Sequence, residues 1–406
     1  MKLTQKRMRL LAFVLTVALL LIGCQPQAAV APTETSAPIA TQTAIPSATP
    51  TETLAPTATG TATVTPTPEA TQIVVGPGQF PPDVNPLTGL QVEDPELLNR
   101  RPVMVKVSNF PREGRPHAGL SSADIVFDYY IGEGTNRFLA LFYGKDTEKV
   151  GPIRSGRLVD GQLVNMYQGI LGFSGADQTT VFPFLSSTLG PRSITQSPAT
   201  CPAICSDGPQ TVTSVFANTS ALSQFAEQTR NTAAPNVKQF LEGNLFDSNL
   251  PESGSPAGAL RVQFNILNLA EWRFDPASGK YLRWIETMDQ NQNISMTPLT
   301  DRNTGEQLAF SNVIILFAPY TQHAAALHEI GMWNNINGLR AVLFRDGKAL
   351  EGVWKSISTD RPAQFYTPQG EPLALKPGNT WIVITGIYST LEEKTAGQWE
   401  MHFFMP

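Results

Sequence analysis

Basic residues are missing from a long stretch of this chain: no lysine or arginine occurs between Arg9 and Arg100. Over the same region, from Gln25 to Gln79, there is no aromatic residue either. A segment without aromatics, made of Thr, Pro, Ala and Ser, cannot bury enough apolar surface to offset its ordering entropy. Nowhere do Lys/Arg and aromatics interleave in a run, and the formal net charge of the 406 residues is -5. That balance excludes the basic footprint expected of a nucleic-acid binder. Histidine is scarce, with His117, His323, His328 and His402 showing no metal-ligand spacing; no metal and no cofactor are expected.

Cysteine is scarcer still: Cys24, Cys201 and Cys205. Cys24 ends a targeting segment. Lys2, Lys6, Arg7 and Arg9 form a positive flank, and Leu10 to Ile22 is apolar but short for a membrane span. Leu21-Ile22-Gly23-Cys24 looks like the lipobox of a bacterial lipoprotein signal, which implies lipidation of the Cys24 thiol and removal of residues 1–23. A second acyl chain makes such anchoring stable. Residues 24–79 then read as a disordered stalk, extended at about 3.1 Å per residue where proline dominates. Outside the cytoplasm, Cys201 and Cys205 are most simply a disulfide closing a small loop. A zinc half-site would need two further ligands, and a redox pair would normally be C-x-x-C.

Beyond the stalk, the hydrophobic fraction of 41% supports a sizeable core. The expectation is α+β: two packed mixed domains, 80–245 and 258–406, the second mainly antiparallel β. Val103 to Ser108, Ile125 to Ile131 and Phe138 to Tyr143 read as strands, and Arg157 to Tyr167 as a helix. A second helix is expected over Ser220 to Gln228. Gly243 to Gly258 reads as a boundary. Hairpins are expected around Asp275 to Lys280 and Asp346 to Lys348.

The most distinctive stretch is Asn109 to Arg157. Glycine-rich and charged turns there separate short apolar runs, as when strands hold polar loops at one end of a sheet. Asn85-Pro86-Leu87-Thr88-Gly89, Ala123-Asp124-Ile125-Val126, Glu133-Gly134 and Gly151-Pro152-Ile153-Arg154-Ser155-Gly156-Arg157 resemble the DUF3048 family of YerB-like bacterial lipoproteins. Gly352-Val353-Trp354-Lys355 and Gly378-Asn379-Thr380-Trp381 resemble that family's C-terminal domain. The resemblance implies an extracytoplasmic, membrane-anchored envelope protein with some association with cell-wall enzymes; it supplies no reaction, and the working expectation is binding to a cell-wall polymer such as peptidoglycan or to a wall enzyme.

Two kinds of chemistry are open to this stretch. Asn109, Arg115, Arg137, Arg154 and Arg157 could bind an anion, since guanidinium forks suit carboxylate or phosphate. Alternatively Glu133, with Asp124 or Asp128, could form the acid pair of a glycan hydrolase or lyase. Asp124 and Asp128 share a strand face but lie about 13 Å apart at about 3.3 Å per residue. That exceeds the roughly 6.5–9.5 Å of an inverting pair, so pairing with the arginines is preferred for these carboxylates. Ser155 lacks a recognisable base. A solute-capturing lipoprotein is the remaining alternative. Trp272, Trp284, Trp333, Trp354 and Trp381 are expected in cores of hairpins rather than stacked on sugars.

Overall fold

The computed structural model describes residues 72–234 and 236–405. The signal segment, Cys24 and most of the stalk lie outside the described residues. The stalk reading extends too far, however. Ile73, Val74 and Val75 are β-branched and suited to a strand, and Val74–Val75 pairs antiparallel with Phe246–Asp247. Hydrogen bonds between Ile73 and Ser248 continue the pairing.

Seventeen strands make one connected array that divides into two layers. In the first half they are β1 (Val103–Ser108), β2 (Ile125–Gly132), β3 (Thr135–Phe142), β4 (Ile170–Phe173) and β5 (Ser193–Thr195). The second half opens with β6 (Ser255–Asn265), β7 (Asn268–Asp275), β8 (Lys280–Met288), β9 (Ile294–Pro298) and β10 (Ala309–Phe310). There follow β11 (Asn312–Ala318), β12 (Leu339–Arg345), β13 (Lys348–Lys355) and β14 (Gln364–Tyr366). The last three are β15 (Thr380–Gly386), β16 (Thr390–Thr395) and β17 (Gly397–His402). The helices that matter here are α1 (Leu158–Met166), α2 (Gln178–Ser186) and α3 (Thr219–Arg230).

The central layer runs β5-β4-β1-β3-β2-β15-β11-β12-β13-β14. The two halves of the chain therefore meet strand to strand, β2 lying parallel to β15 with Val126 opposite Trp381. The second layer runs β16-β17-β6-β7-β8, with β9 and β10 sharing the far side of β8. Most neighbours in the second half are antiparallel, as its hairpins require.

Period-2 alternation sends the side chains of the central strands to two cores. Val105, Val126, Phe138, Val313 and Trp381 fill the space against the second layer, with Leu260, Trp272 and Met401. Met104, Phe127, Leu139, Ile314 and Ile382 point the other way, against Leu163 and Val164 of α1 and Phe184 of α2. With both faces covered, strands such as β1 and β15 read as continuous apolar runs. Helix α3 begins at Thr219, one residue before the expected start, and is capped by Asn218, whose side chain accepts from the Ala221 N–H.

Candidate functional site

Three central strands carry polar residues among apolar neighbours, Lys106 on β1, Asp128 and Tyr129 on β2, Asn136 and Arg137 on β3, and alternation splits these residues between the two faces. Asp128 and Asn136 turn toward the second layer, while Lys106, Tyr129 and Arg137 turn toward α1.

On the inter-layer face the polar groups form a connected chain, with Arg283 Nε and Nη1 buried without a partner among the described residues. Asp128 accepts from Asn136 and, at 3.3 Å each, from Arg283 Nη2 and Trp381 Nε1. Asn136 Oδ1 accepts from Asn109 Nδ2 at 2.6 Å and Asn268 Nδ2 at 3.1 Å. Arg115 donates to Asn109 and, at 3.0 Å, to Glu286 Oε1, whose other oxygen takes Arg112 at 2.8 Å. Arg283 is enclosed by Trp381 (4.1 Å), Trp272 (4.8 Å) and Phe138 (5.5 Å), a cation on aromatic faces. Burial raises the Asp128 carboxyl above its ordinary range and lowers Arg283 to about 10. This set ties the halves together and leaves Asp128, Asn109 and Arg115 engaged.

The opposite face is different. Lys106, Tyr129 and Asp160 are fully buried and mutually bonded, with Lys106 Nζ 3.1 Å from Asp160 Oδ1 and the Tyr129 hydroxyl donating to that same oxygen. Asp160 Oδ2 accepts from the Arg157 N–H at 2.6 Å and so fixes the start of α1. Around this unit stand Arg137, Arg154 and Arg157. Arg137 Nη1 donates to the Ser155 carbonyl at 2.7 Å, and Arg157 Nη1 to the Gly156 carbonyl at 2.9 Å. Arg154 is placed by its backbone, which bridges the ends of two parallel strands: its N–H meets Lys106 O, and its carbonyl accepts from Ser174 N. The Nε atoms of Arg154 and Arg157 are buried without a partner. Among the described residues, none of these three guanidiniums reaches a carboxylate within 4.0 Å.

The electrostatics follow from that crowding. Burial, then the neighbouring Arg157 and Arg154, brings Arg137 down to about 9. Burial lowers Lys106 to about 7, opposed by Asp160 and reinforced by Arg137 and Arg157. The arginines lie where β1 and β4 end, beside the start of β3. This is the carboxyl-end position at which open sheets with parallel strands take ligands.

Of the residues expected to act together, the structure assembles Arg137, Arg154 and Arg157 and sends Asn109 and Arg115 to the other face. The preferred pairing of acids with these arginines is corrected: Asp128 pairs with Arg283, and Arg115 with Glu286, both partners coming from the second half. Nor do the three acids converge. Glu133 is exposed on the β2–β3 turn at φ 53°, and Asp124 occupies the opposite end of β2. There Asp124 accepts from Asn85 Nδ2 and the N–H groups of Tyr143 and Gly144. Burial raises it to about 6. Ser155 contributes its carbonyl to Arg137. His323 meets Glu329 on the surface at 3.1 Å, whereas His328 is buried against Tyr130. Trp272, Trp354 and Trp381 are core residues; Trp284 lies under the Arg273 guanidinium and Trp333 is partly buried. Cys201 and Cys205 form a disulfide.

Sequence reasoning missed Lys106, Tyr129 and Asp160. A lysine inside the run Val103 to Val107 was a usable signal, because a buried ammonium requires a partner. Arg283 and Glu286 carried no such sign, since their neighbours Trp284 and Thr287 fit a half-exposed hairpin.

Residues 87–232 match the family model described as the DUF3048 N-terminal domain, of unknown function, and residues 260–382 match the DUF3048 C-terminal domain. YerB of Bacillus subtilis (strain 168), whose name presents it as a candidate lipoprotein, is 27% identical over 315 residues. The match covers 74% of this chain and 85% of YerB. The crystal structure of the Bacillus subtilis YerB protein superposes with a TM-score of 0.59 at 27% identity, covering 74% of this chain and 96% of that one.

Proposed function

The chain belongs to the DUF3048 family, and from that premise we propose a lipid-anchored envelope protein that binds an anionic cell-wall ligand through Arg137, Arg154 and Arg157. The observation that carries the reading is that Arg137 and Arg157 crowd a single, already occupied carboxylate, Asp160, with Arg154 adding a third positive charge beside them. Structural arginines are normally neutralised by acids; here the Arg137 and Arg157 side chains donate to backbone oxygens, and the buried Nε atoms of Arg154 and Arg157 have no partner among the described residues. Gly23-Cys24 after an apolar run, together with the lipoprotein name of the Bacillus relative, supports the anchor.

Two measurements test this. Metabolic labelling with a palmitate analogue should mark the wild-type chain and not Cys24→Ala, which should also leave the membrane fraction. Purified sacculi should pull down the wild-type chain, and Arg137→Gln combined with Arg154→Gln should weaken binding at least about tenfold, or about 1.4 kcal/mol. Equal retention of the variant would remove the arginine site from the reading.

A further inference from the structure

We infer that the arginine site takes a phosphate ester, with oxygens of one phosphoryl group shared among Arg137, Arg154 and Arg157. This inference rests on the anion-binding reading above and narrows it to one chemistry.

The first reason is direction. Arg137 projects from the start of β3, Arg154 from the segment spanning the ends of β1 and β4, and Arg157 from the residue before α1. Three forks approaching from three elements fit a tetrahedral group with several acceptor oxygens. A planar carboxylate offers two oxygens and is satisfied by one fork.

The second reason is charge. Lys106, Arg137, Arg154 and Arg157 bring four formal positive charges, and Asp160 brings one negative charge. Both oxygens of Asp160 are used internally, by Lys106 and Tyr129 and by the Arg157 N–H. Asp177, the other acid beside Arg157, spends its carboxylate capping α2 through Thr180. Burial, with Arg157 adding to it, lowers the proton affinity of His328 on the hairpin Tyr320–Ile330, so this ring adds no compensating negative charge. A site this positive favours a ligand bearing repeated or multiple negative charges.

The third reason is rigidity. Arg137 and Arg157 are each tethered to a main-chain carbonyl, and the Lys106–Tyr129–Asp160 unit beneath them is sealed. These two forks are therefore ordered before any ligand arrives, which lowers the cost of binding.

Phosphate esters reach the outer membrane surface from two sources, a polyol-phosphate polymer or a phospholipid headgroup, and the test separates them. The full chain in dodecyl maltoside is bound to sacculi and challenged with poly(glycerol phosphate), with a polyuronate of matched charge, and with mixed micelles containing phosphatidylglycerol. Displacement by the polymer at a concentration at least about tenfold below that of the polyuronate is expected. Displacement that is equally effective with phosphatidylglycerol assigns the headgroup as the source and upholds the chemistry. Equal displacement by polyuronate overturns the phosphate preference while leaving an anion site. Undiminished sacculus binding by Arg154→Gln, at a partly exposed position, overturns the site itself.

A pH profile adds a readout that a merely structural cluster would not move. A bound anion beside the arginines raises Lys106 from about 7. Protons are then taken up on binding, so affinity for the polymer rises as pH falls from about 9 to 7. A phosphodiester keeps its charge across that range, and a flat profile would count against an anion seated over the sealed Lys106 unit.

Discussion

His117 lies fully buried with its ring edge-on to Phe138, 5.2 Å between centroids, and neither ring nitrogen has a hydrogen-bond partner. Burial, with Arg115 and Arg283 nearby, lowers it to about 3. The unfolded chain therefore binds a proton here between about pH 6.5 and 3 that the folded chain refuses. Stability is lost as pH falls through that window, at up to about 1.4 kcal/mol per pH unit from this group. His117→Phe should flatten the pH dependence of urea unfolding between 6.5 and 4; an unchanged slope would place the acid sensitivity elsewhere. The Arg283–Asp128 pair makes a second residue-scale case. Arg283→Ala leaves an uncompensated buried carboxylate and should cost about 3–5 kcal/mol, seen as a lowered Tm. Arg283→Met combined with Asp128→Leu should recover much of that loss, because neither charge then remains. Both cases turn on partners far away in sequence. Asp128 stood out in an apolar strand, but nothing near it pointed to a residue 155 positions later.

Elements announced themselves where pattern and capping agreed. The strand Val103 to Ser108, the helix after Arg157 and the hairpins at residues 275–280 and 346–348 were legible from period and turn chemistry. Hairpin Tyr320–Ile330 was not, because Thr321 to Ala326 are exposed and show no alternation. Its position depends instead on a close approach. Gly132 has φ 111°, and a Cβ there would stand 2.1 Å from the Ala325 carbonyl oxygen. Gly132→Ala should therefore push the hairpin away and cost more than about 1 kcal/mol. Hydrogen exchange should quicken across residues 320–330 while β11 stays protected. At α3, Asn218→Ala removes the side chain that accepts from Ala221 N–H and should cost about 1 kcal/mol in denaturant unfolding.

For the whole molecule, the pairing of β2 with β15 matters most. The stretch 243–258, read from the sequence as a boundary, carries the strand Phe246–Asp247 and the start of β6, the sheet continues across the halves, and the Asp128–Arg283 pair lies between them. Residues 72–245 expressed alone would expose the β2 edge and bury Asp128 without its partner. We expect that fragment to be insoluble, and the full chain to unfold in one transition by both fluorescence and circular dichroism. Two separated transitions would show halves that fold independently. Period and turns could indicate a two-part chain; they could not show that its parts share a sheet, because parallel neighbours distant in sequence leave no local mark.

The short pairing of Val74–Val75 with Phe246–Asp247 also has a mechanical meaning. Any pull transmitted along the amino-terminal segment reaches the globule there. Two residue pairs and the Ser248 contacts would bear the load before β1 or β2 felt it. Under tension this pairing would part first, lengthening the leash by a few residues while the arginines kept their arrangement.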